Sequence, residues 1–585
     1  MKTQNKTLLT AAIMVIGTAL GVHLVYELYT YCAKERAYKI GEEHTYQLRP
    51  ERGRIIDIAG NVVAKTDTVY DVHFDPVAWS ESHRDTTIWE SEIRDLASYF
   101  AGSFPERDAN GWVGFIEEGR EKGRRYLSIT KGLSKEQVDT IKSFPLFSLP
   151  SYRSGLIIEP RYVRIYPCGT LARRTIGHIK GDSLRTGLES RYELFLSGHP
   201  GHETIRYGRY EGKDIRKVKD FEKAKNGMDI HTTLSMNVTS IADSVLRTAI
   251  QNHADIKAGC FVLMNVKTGA IHVMTNLTKT EEGIFELYNY AIGRTYDPGS
   301  LAQAMTYAAI LSDGHLHTLQ ETIPTNHGKI PNLKQDAHII DYERTNSTNS
   351  IAIQDGFALS SRYVPAYLVQ RYYYQKPEKF IEHLRTYCPE MNFELDGLGV
   401  NNIPAPKSPG WNDMTLQNLS YGYNLSLTPL SVLSFYNSIA NKGSMVQPFL
   451  LDRIVRDNGE VVFSNKPKIM GQVMPENVAD TLSEALKYAT QEGPDRVAKN
   501  WNQMIVGKSG ITPLPVTEGI ENGIDIYHDK EGRRKYAATF VGYFPQEAPE
   551  YSVICVLYSE RTKQNFYAGS LPANLVNDFV NQLVK

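Results

Sequence analysis

The sequence predicts an α+β protein, with strands at both ends of its long C-terminal part and helices between them. Three observations carry that expectation. AGCFVLMNVKTGAIHVMTNL (Ala258–Leu277) reads as two strands around a Lys-Thr-Gly turn. Long helical patterns fill roughly 300–312, 351–387 and 428–442. KYAATFVGYFP (Lys535–Pro545) and YSVICVLYSE (Tyr551–Glu560) then return to strand character before a last helix, LPANLVNDFVNQLVK. Strands from the two ends are expected to meet in one antiparallel sheet packed against the helices.

The N-terminal elements follow in order. Thr7 to Tyr26 carries no fixed charge, is mostly apolar, and is long enough to span a bilayer as a helix. Lys2 and Lys6 precede it and Lys34, Arg36 and Lys39 follow it, so the positive-inside count leaves the orientation open. A short head before a very long remainder favours one anchor with the bulk exported. No small-x-small cleavage site follows, and Cys32 after Tyr31 does not suit a lipoprotein box. The expected division is a cytoplasmic tail at 1–6, an anchor at 7–28, a stalk and elongated domain at 29–225, and the main domain at 226–585.

Tyr31 to Glu43 is charged and helix-compatible, a stalk. In RGRIIDIAGNVVAKTDTVYDVHFDP (Arg52–Pro76), Ile55-Ile56 and Val62-Val63 flank an Ala-Gly-Asn turn, and a strand-like alternation follows. Residues from about 80 to 145 read as helical and charged. RYVRIYPCGT (Arg161–Thr170) and TGLESRYELFLSGHPG (Thr186–Gly201) have strand and short-helix character with Gly punctuation. Near Asn226-Gly227 a strand leads into an amphipathic helix carrying Ile241, Val245, Leu246 and Ile250.

The 585 residues have room for three or four domains, or two large ones. With 41% hydrophobic and 22% charged residues the composition is ordinary for globular protein, and a net charge of −1 argues against a nucleic-acid partner. The five cysteines are scattered and form no C-x-x-C pair, which argues against a disulfide framework and a structural zinc site. The residues imply no cofactor and no metal.

Several stretches together resemble the class B penicillin-binding proteins, membrane-anchored D,D-transpeptidases that cross-link peptidoglycan. RGRIIDIAGNVVA and RYVRIYPCGTLARRTIGHI resemble the first two pedestal motifs, and TGLESRYELFLSGHPG the segment that closes the pedestal. VLMNVKTGAIHVM resembles the opening hairpin of the transpeptidase domain. SYGYNLSLTPLSVLSFYNSIANKGSMVQP (Ser420–Pro448) resembles its inner helix, and FVGYFPQEAPEYSVICVLY its closing hairpin. The resemblance implies a pedestal followed by a serine β-lactamase-like domain, with a five-stranded antiparallel sheet between helices.

The family's catalytic motifs are S-x-x-K, S-x-N and K-[TS]-G. Here they align with Ser300-Leu301-Ala302-Gln303, Ser360-Ser361-Arg362 and Lys508-Ser509-Gly510. The third is intact. The first keeps its nucleophile position, Ser300, and has Gln303 where the base belongs. The second keeps Ser360 and has Arg362 in place of asparagine. Ser300 also reads as a plain N-cap of a buried helix.

The chemistry explains why these departures matter. A serine hydroxyl is a poor nucleophile until a base takes its proton, and residues i and i+3 share a helix face. A carboxamide is no usable base near neutral pH, although Gln303 can hydrogen-bond Ser300. Losing a positioned base typically slows a reaction ~10²–10⁴-fold. Arg362 is permanently charged and donor-only, suited to a substrate carboxylate or to solvent. By the resemblance, Lys508 attracts the terminal carboxylate of D-Ala-D-Ala or of a penicillin, while Ser509, Gly510, Ile511 and Thr512 lie along the strand that pairs with the peptide. The N–H groups of Ser300 and Ile511 are where the family places its oxyanion hole.

Other matches read as incidental. The literal S-x-x-K, Ser128 to Lys131, lies in the pedestal region, and Lys267-Thr268-Gly269 reads as a turn. His315-x-His317 lacks a third metal ligand nearby. VTEGIENGIDIYHDKEGRRK (Val516–Lys535) reads as a solvated loop or lid after the KSG strand. The expected function is cell-wall synthesis at the bacterial cytoplasmic membrane, single-pass, with the bulk on the periplasmic side. Its transpeptidase activity would be lost or weakened, and its partners would be a polytopic glycan polymerase and other division proteins. The alternatives are an active transpeptidase with another base, Lys508 or the substrate amine, and a sensor of β-lactams or muropeptides.

Overall fold

The structure is a computed structural model and describes residues 2–40, 42–78, 86–149, 151–180, 184–210, 213–330, 349–390, 393–492, 505–514, 534–560 and 570–584. It forms two compact units, Met1–Asn61 with Thr170–Lys585, and Val62–Gly169. The lid-like loop expected from Val516 lies almost wholly outside the described residues.

A helix, Lys2–Ile40, runs through the predicted anchor and stalk. Its side chains are described from Met14 to Ala37, so residues 7–13 of the anchor read at 7–28 lie outside them. No helix among the described residues is long and apolar enough to cross a membrane. Val15, Leu20, Val22, Leu24 and Val25 are all exposed on it.

In the smaller unit, Val62–Phe74 pairs antiparallel with Leu127–Leu133 on one side and Leu156–Ile165 on the other. Helices Thr86–Ser103, Ala109–Glu121 and Lys135–Lys142 complete it. Its core centres on fully buried Phe100 and Trp112, whose rings meet edge-on at 5.2 Å. The helical reading of 80–145 is corrected here: Leu127, Ile129 and Leu133 are buried along a strand, and Ser134 then opens the next helix through a capping box with Gln137. The literal S-x-x-K therefore sits on a strand.

In the larger unit the first and third pedestal-like motifs join. Arg52 Nη2 lies 2.7 Å from a carboxylate oxygen of Glu189 and 2.7 Å from one of Glu193. Arg54 holds Asp229 through its guanidinium and its own backbone N–H. Buried Asp57 accepts from the N–H groups of Ala59 and Asn61, which closes the Ala-Gly-Asn turn, and from Met236 N–H at the start of the next helix.

That helix, α1 (Met236–Asn252), leads into β1 (Ile256–Asn265), β2 (Ile271–Lys279) and the two-residue β3 (Ile284–Phe285). Helices α2 (Ala302–Ser312), α3 (Ile353–Ala358), α4 (Tyr363–Tyr373) and α5 (Pro429–Ala440) form the helical middle. β4 (Val506–Leu514), β5 (Lys535–Phe544), β6 (Tyr551–Ser559) and α6 (Ser570–Leu583) close the chain. The sheet order is β3-β2-β1-β6-β5-β4, antiparallel throughout. The terminal strands meet as β1 and β6. The expected five strands gain a short sixth, because Ile284-Phe285 pairs with the last residues of β2.

α1 and α6 cover one face, with Leu246, Ile250, Phe261, Val576 and Phe579 in one core cluster. Each such side chain contributes ~1.5–3 kcal/mol on burial. α5 is buried along its whole length and α2 nearly so, which leaves them as the inner layer. β4 is the outer strand beside them, and one of its edges remains open for pairing among the described residues.

Candidate active site

The site is built where the Pro-Gly turn before α2 meets β4. Ser300 lies in a 3₁₀ turn, Gly299–Leu301, and is half-buried. Gly299 has φ +57°, and a Cβ there would fall 2.3 Å from Thr512 Cγ2 on β4. Gly422, in the Ser-Tyr-Gly-Tyr turn, has φ +85° and would place a Cβ 2.2 Å from Gly299 O. Only glycine fits both places. Gly299 N–H donates to Gly422 O at 3.1 Å, Thr512 Oγ1 to Asp297 O at 2.8 Å, and Tyr436 Oη to Leu301 O at 3.0 Å. The serine is thus clamped between strand and inner helix. The buried Thr512 hydroxyl donates to the turn that carries the serine.

Gln303 is fully buried. Its Nε2 donates to Ser361 O at 3.0 Å, while its Oε1 is buried without a partner. The Gln303–Ser300 hydrogen bond that the spacing allows does not form. The backbone carbonyl between α3 and α4 is the better acceptor for a side-chain amide, and it takes the donor half of the residue. No hydrogen bond joins Ser300 Oγ to another described residue.

Ser360 sits where the helical reading of 351–387 breaks. It has φ +56°, its N–H donates to Phe357 O at 3.1 Å, and Ser361 N–H donates to Gly356 O at 2.8 Å. The chain reverses there before α4. That reversal brings Ser360 Oγ to Lys508 Nζ, which donates to it. Lys508 is only 2% exposed; its amine also lies 3.4 Å from Ser509 O and 5.7 Å from the centre of the Phe357 ring. Phe357 was not singled out from the sequence; an aromatic at i−3 from the motif serine was the available signal.

Arg362 precedes α4 and is half-buried. Burial pushes the Tyr423 phenol up; Arg362 works against that rise and Asp297 with it. Ser509 is nearly buried and its Oγ has no partner. Ser509, Gly510 and Ile511 pair across β4 with Phe540, Thr539 and Ala538. The arrangement can hold a peptide end along β4 with a cation behind it. Among the described residues, no basic side chain is hydrogen-bonded to Ser300 Oγ.

Of the remaining sequence candidates, Lys267-Thr268-Gly269 forms the β1–β2 turn, tied by Asn265 Oδ1, and His315 stacks on Tyr372 with ring centres 4.6 Å apart.

Comparison with known proteins gives one consistent family. The profile of the penicillin binding protein transpeptidase domain matches residues 259–581, and that of the penicillin-binding protein dimerisation domain matches residues 47–232. The peptidoglycan D,D-transpeptidase FtsI of Escherichia coli K12 is 21% identical over 550 residues, 90% of this chain and 82% of that protein. Penicillin-binding protein PbpB of Mycolicibacterium smegmatis is 22% identical over 73% of this chain, a match spanning 65% of that protein's length. Among solved structures, penicillin binding protein 2X of Streptococcus thermophilus has a TM-score of 0.70 at 20% identity, over 92% of this chain and 80% of that one.

Proposed function

The chain belongs to the class B penicillin-binding proteins, and from that membership we propose that it serves peptidoglycan synthesis with its own transpeptidase step lost or much weakened, as a partner or regulator of active enzymes. The observation that carries the reading is the destination of Gln303: its amide is bound to Ser361 O, and no described base is hydrogen-bonded to Ser300. The peptide end or β-lactam would lie along the free edge of β4, held by Lys508 and the backbone of Ser509–Ile511. The first helix, with apolar side chains exposed along it, supports a single membrane anchor with the bulk of the chain outside the cytoplasm. A polytopic glycan polymerase is the partner this placement suits.

A second reading, an active transpeptidase, is favoured by the contact between Lys508 Nζ and Ser360 Oγ, which sets an amine beside a hydroxyl inside the site. One experiment separates the two. Membranes are incubated with a fluorescent penicillin and examined for a covalent band near 66.0 kDa, with Ser300→Ala as control. Absent or trace labelling is expected. A robust Ser300-dependent band at ordinary drug concentration overturns the inactive reading, and reversible binding without a band turns it into a sensor.

A further inference from the structure

A second open strand edge lies elsewhere on the larger unit. The strand Val461–Ser464 pairs antiparallel with Leu451–Val455 and is the last strand on its side of that sheet among the described residues. The two are joined by a tight turn, in which Gly459 N–H donates to Arg456 O and Arg456 N–H to Glu460 O, both at 2.9 Å. All four residues of the outer strand are exposed, and Val461, Val462 and Phe463 keep 53%, 41% and 44% of their surface. An apolar edge of this kind is a template for another strand.

Its backbone leaves groups to pair. Asn465 N–H is turned inward to Asp452 O, so by the alternation of an antiparallel ladder Ser464 turns its backbone groups outward. Val461 and Phe463 face Val455 and Ile454, and Val462 is the extra residue between them, left out of the inward ladder.

The sequence of the edge names what fits it. The run DNGEVVFSNKPK, Asp457 to Lys468, is acidic before the strand (Asp457, Glu460) and basic after it (Lys466, Lys468). Two antiparallel copies therefore set the acidic arm of each against the basic arm of the other. With the two-fold axis at Phe463, Val462 of one copy faces Ser464 of the other, and Glu460 faces Lys466, twice over. Pro467, which has no N–H to give, falls opposite Gly459 beyond the ladder. Glu460 already pairs with Arg456 at 2.7 Å, but both side chains are about half exposed, and such a surface pair is easily shared.

We propose that the strand Val461–Ser464 pairs with the same strand of a second copy, forming a two-fold dimer centred on Phe463. This surface lies outside residues 47–232, which the dimerisation-domain profile matches. The contact is small, with about four backbone hydrogen bonds and the apolar strand, so the pair belongs with weak, transient interfaces.

The test is cross-linking of the full chain. Phe463→Cys is made in a chain whose exposed Cys32 is replaced by serine, and expressing cells are treated with a mild oxidant. Facing residues at the axis are about 4.5–5.5 Å apart at Cα, which suits a disulfide. A band at twice the mass of the 66.0 kDa chain is expected, at least about tenfold stronger than from Val400→Cys, an equally accessible control at 76% exposure. Glu460→Lys or Lys466→Glu, added singly to Phe463→Cys, should each lower the cross-link about fivefold, and the double reversal should restore it. All the altered side chains are exposed, and a thermal melt checks each variant. Cross-linking no stronger than at Val400 overturns the proposal. So does a double reversal that leaves the cross-link as weak as the single ones, and so does a product of another mass, which would give the edge to a different protein.

Discussion

Replacing Gln303 by lysine, together with Arg362→Asn, asks whether a missing base alone silences the site. Residue 303 is fully buried, and its present Oε1 has no donor. An unsatisfied buried acceptor costs about 1–3 kcal/mol, so lysine removes one penalty as it brings another. The new amine can keep the bond to Ser361 O that the amide now makes at 3.0 Å. It enters a buried site that already contains Lys508, and burial together with that neighbour lowers the new amine's pKa. A lowered pKa is what a base needs, and Arg362→Asn takes away a permanent charge and restores a side-chain amide at the third position of the motif. A positioned base contributes about 10²–10⁴-fold, equal to roughly 2.7–5.5 kcal/mol of barrier. The assay is the second-order rate of acylation by a fluorescent penicillin, with Ser300→Ala as background. At least about a hundredfold gain is expected, rising with pH as the amine loses its proton. A double variant that melts like the wild type and still acylates no faster would falsify the argument that the base is the missing part.

Three further outcomes follow from the geometry. Lys508→Ala removes the cation behind β4 and should weaken acetyl-D-Ala-D-Ala or penicillin binding by about tenfold or more in calorimetry; unchanged affinity would remove Lys508 from the site. Arg52→Ala takes a charged partner from the fully buried Glu189 carboxylate and should lower stability by about 3–5 kcal/mol in urea unfolding; a loss under about 1 kcal/mol would show that the ion pair contributes little to the fold. Burial pushes Glu286 up to about 8, against the hydrogen bonds from Asn276 and Arg174 N–H. A carboxyl group raised this way binds more protons folded than unfolded. Its stabilising contribution is therefore complete below its ordinary value and declines as pH rises toward 8. Glu286→Gln should flatten that decline in melts between pH 5 and pH 8, and a parent protein whose stability is level across that range contradicts it.

The parts of the fold legible in advance were those written in local periodicity. Val245, Leu246 and Ile250 were readable as one helix face and lie in the core, and the terminal strands do pair as β1 and β6. The strand Leu127–Leu133 was hidden by Lys131 and Gly132, which break its apolar alternation. The division of 351–387 into separate helices was hidden too. Its reversal uses Ser360 at φ +56°, a conformation that glycine or asparagine would have advertised. Pro365 and Pro377 near the starts of the helices Tyr363–Tyr373 and Pro377–Tyr387 were the usable signals. The three motif positions were visible as letters. What Gln303 does there was not, because its acceptor is a carbonyl 58 positions away that only the folded chain brings near.

The bond from Gln303 to the carbonyl between the two helices has a bearing on how such a chain persists. Glutamine at that place stays anchored to the surrounding architecture, so swapping an amine for it disturbs chemistry far more than assembly. Selection on heat tolerance would register at most the unpaired amide oxygen, about 1–3 kcal/mol, while a demand for bonds made in the wall would register the lost amine.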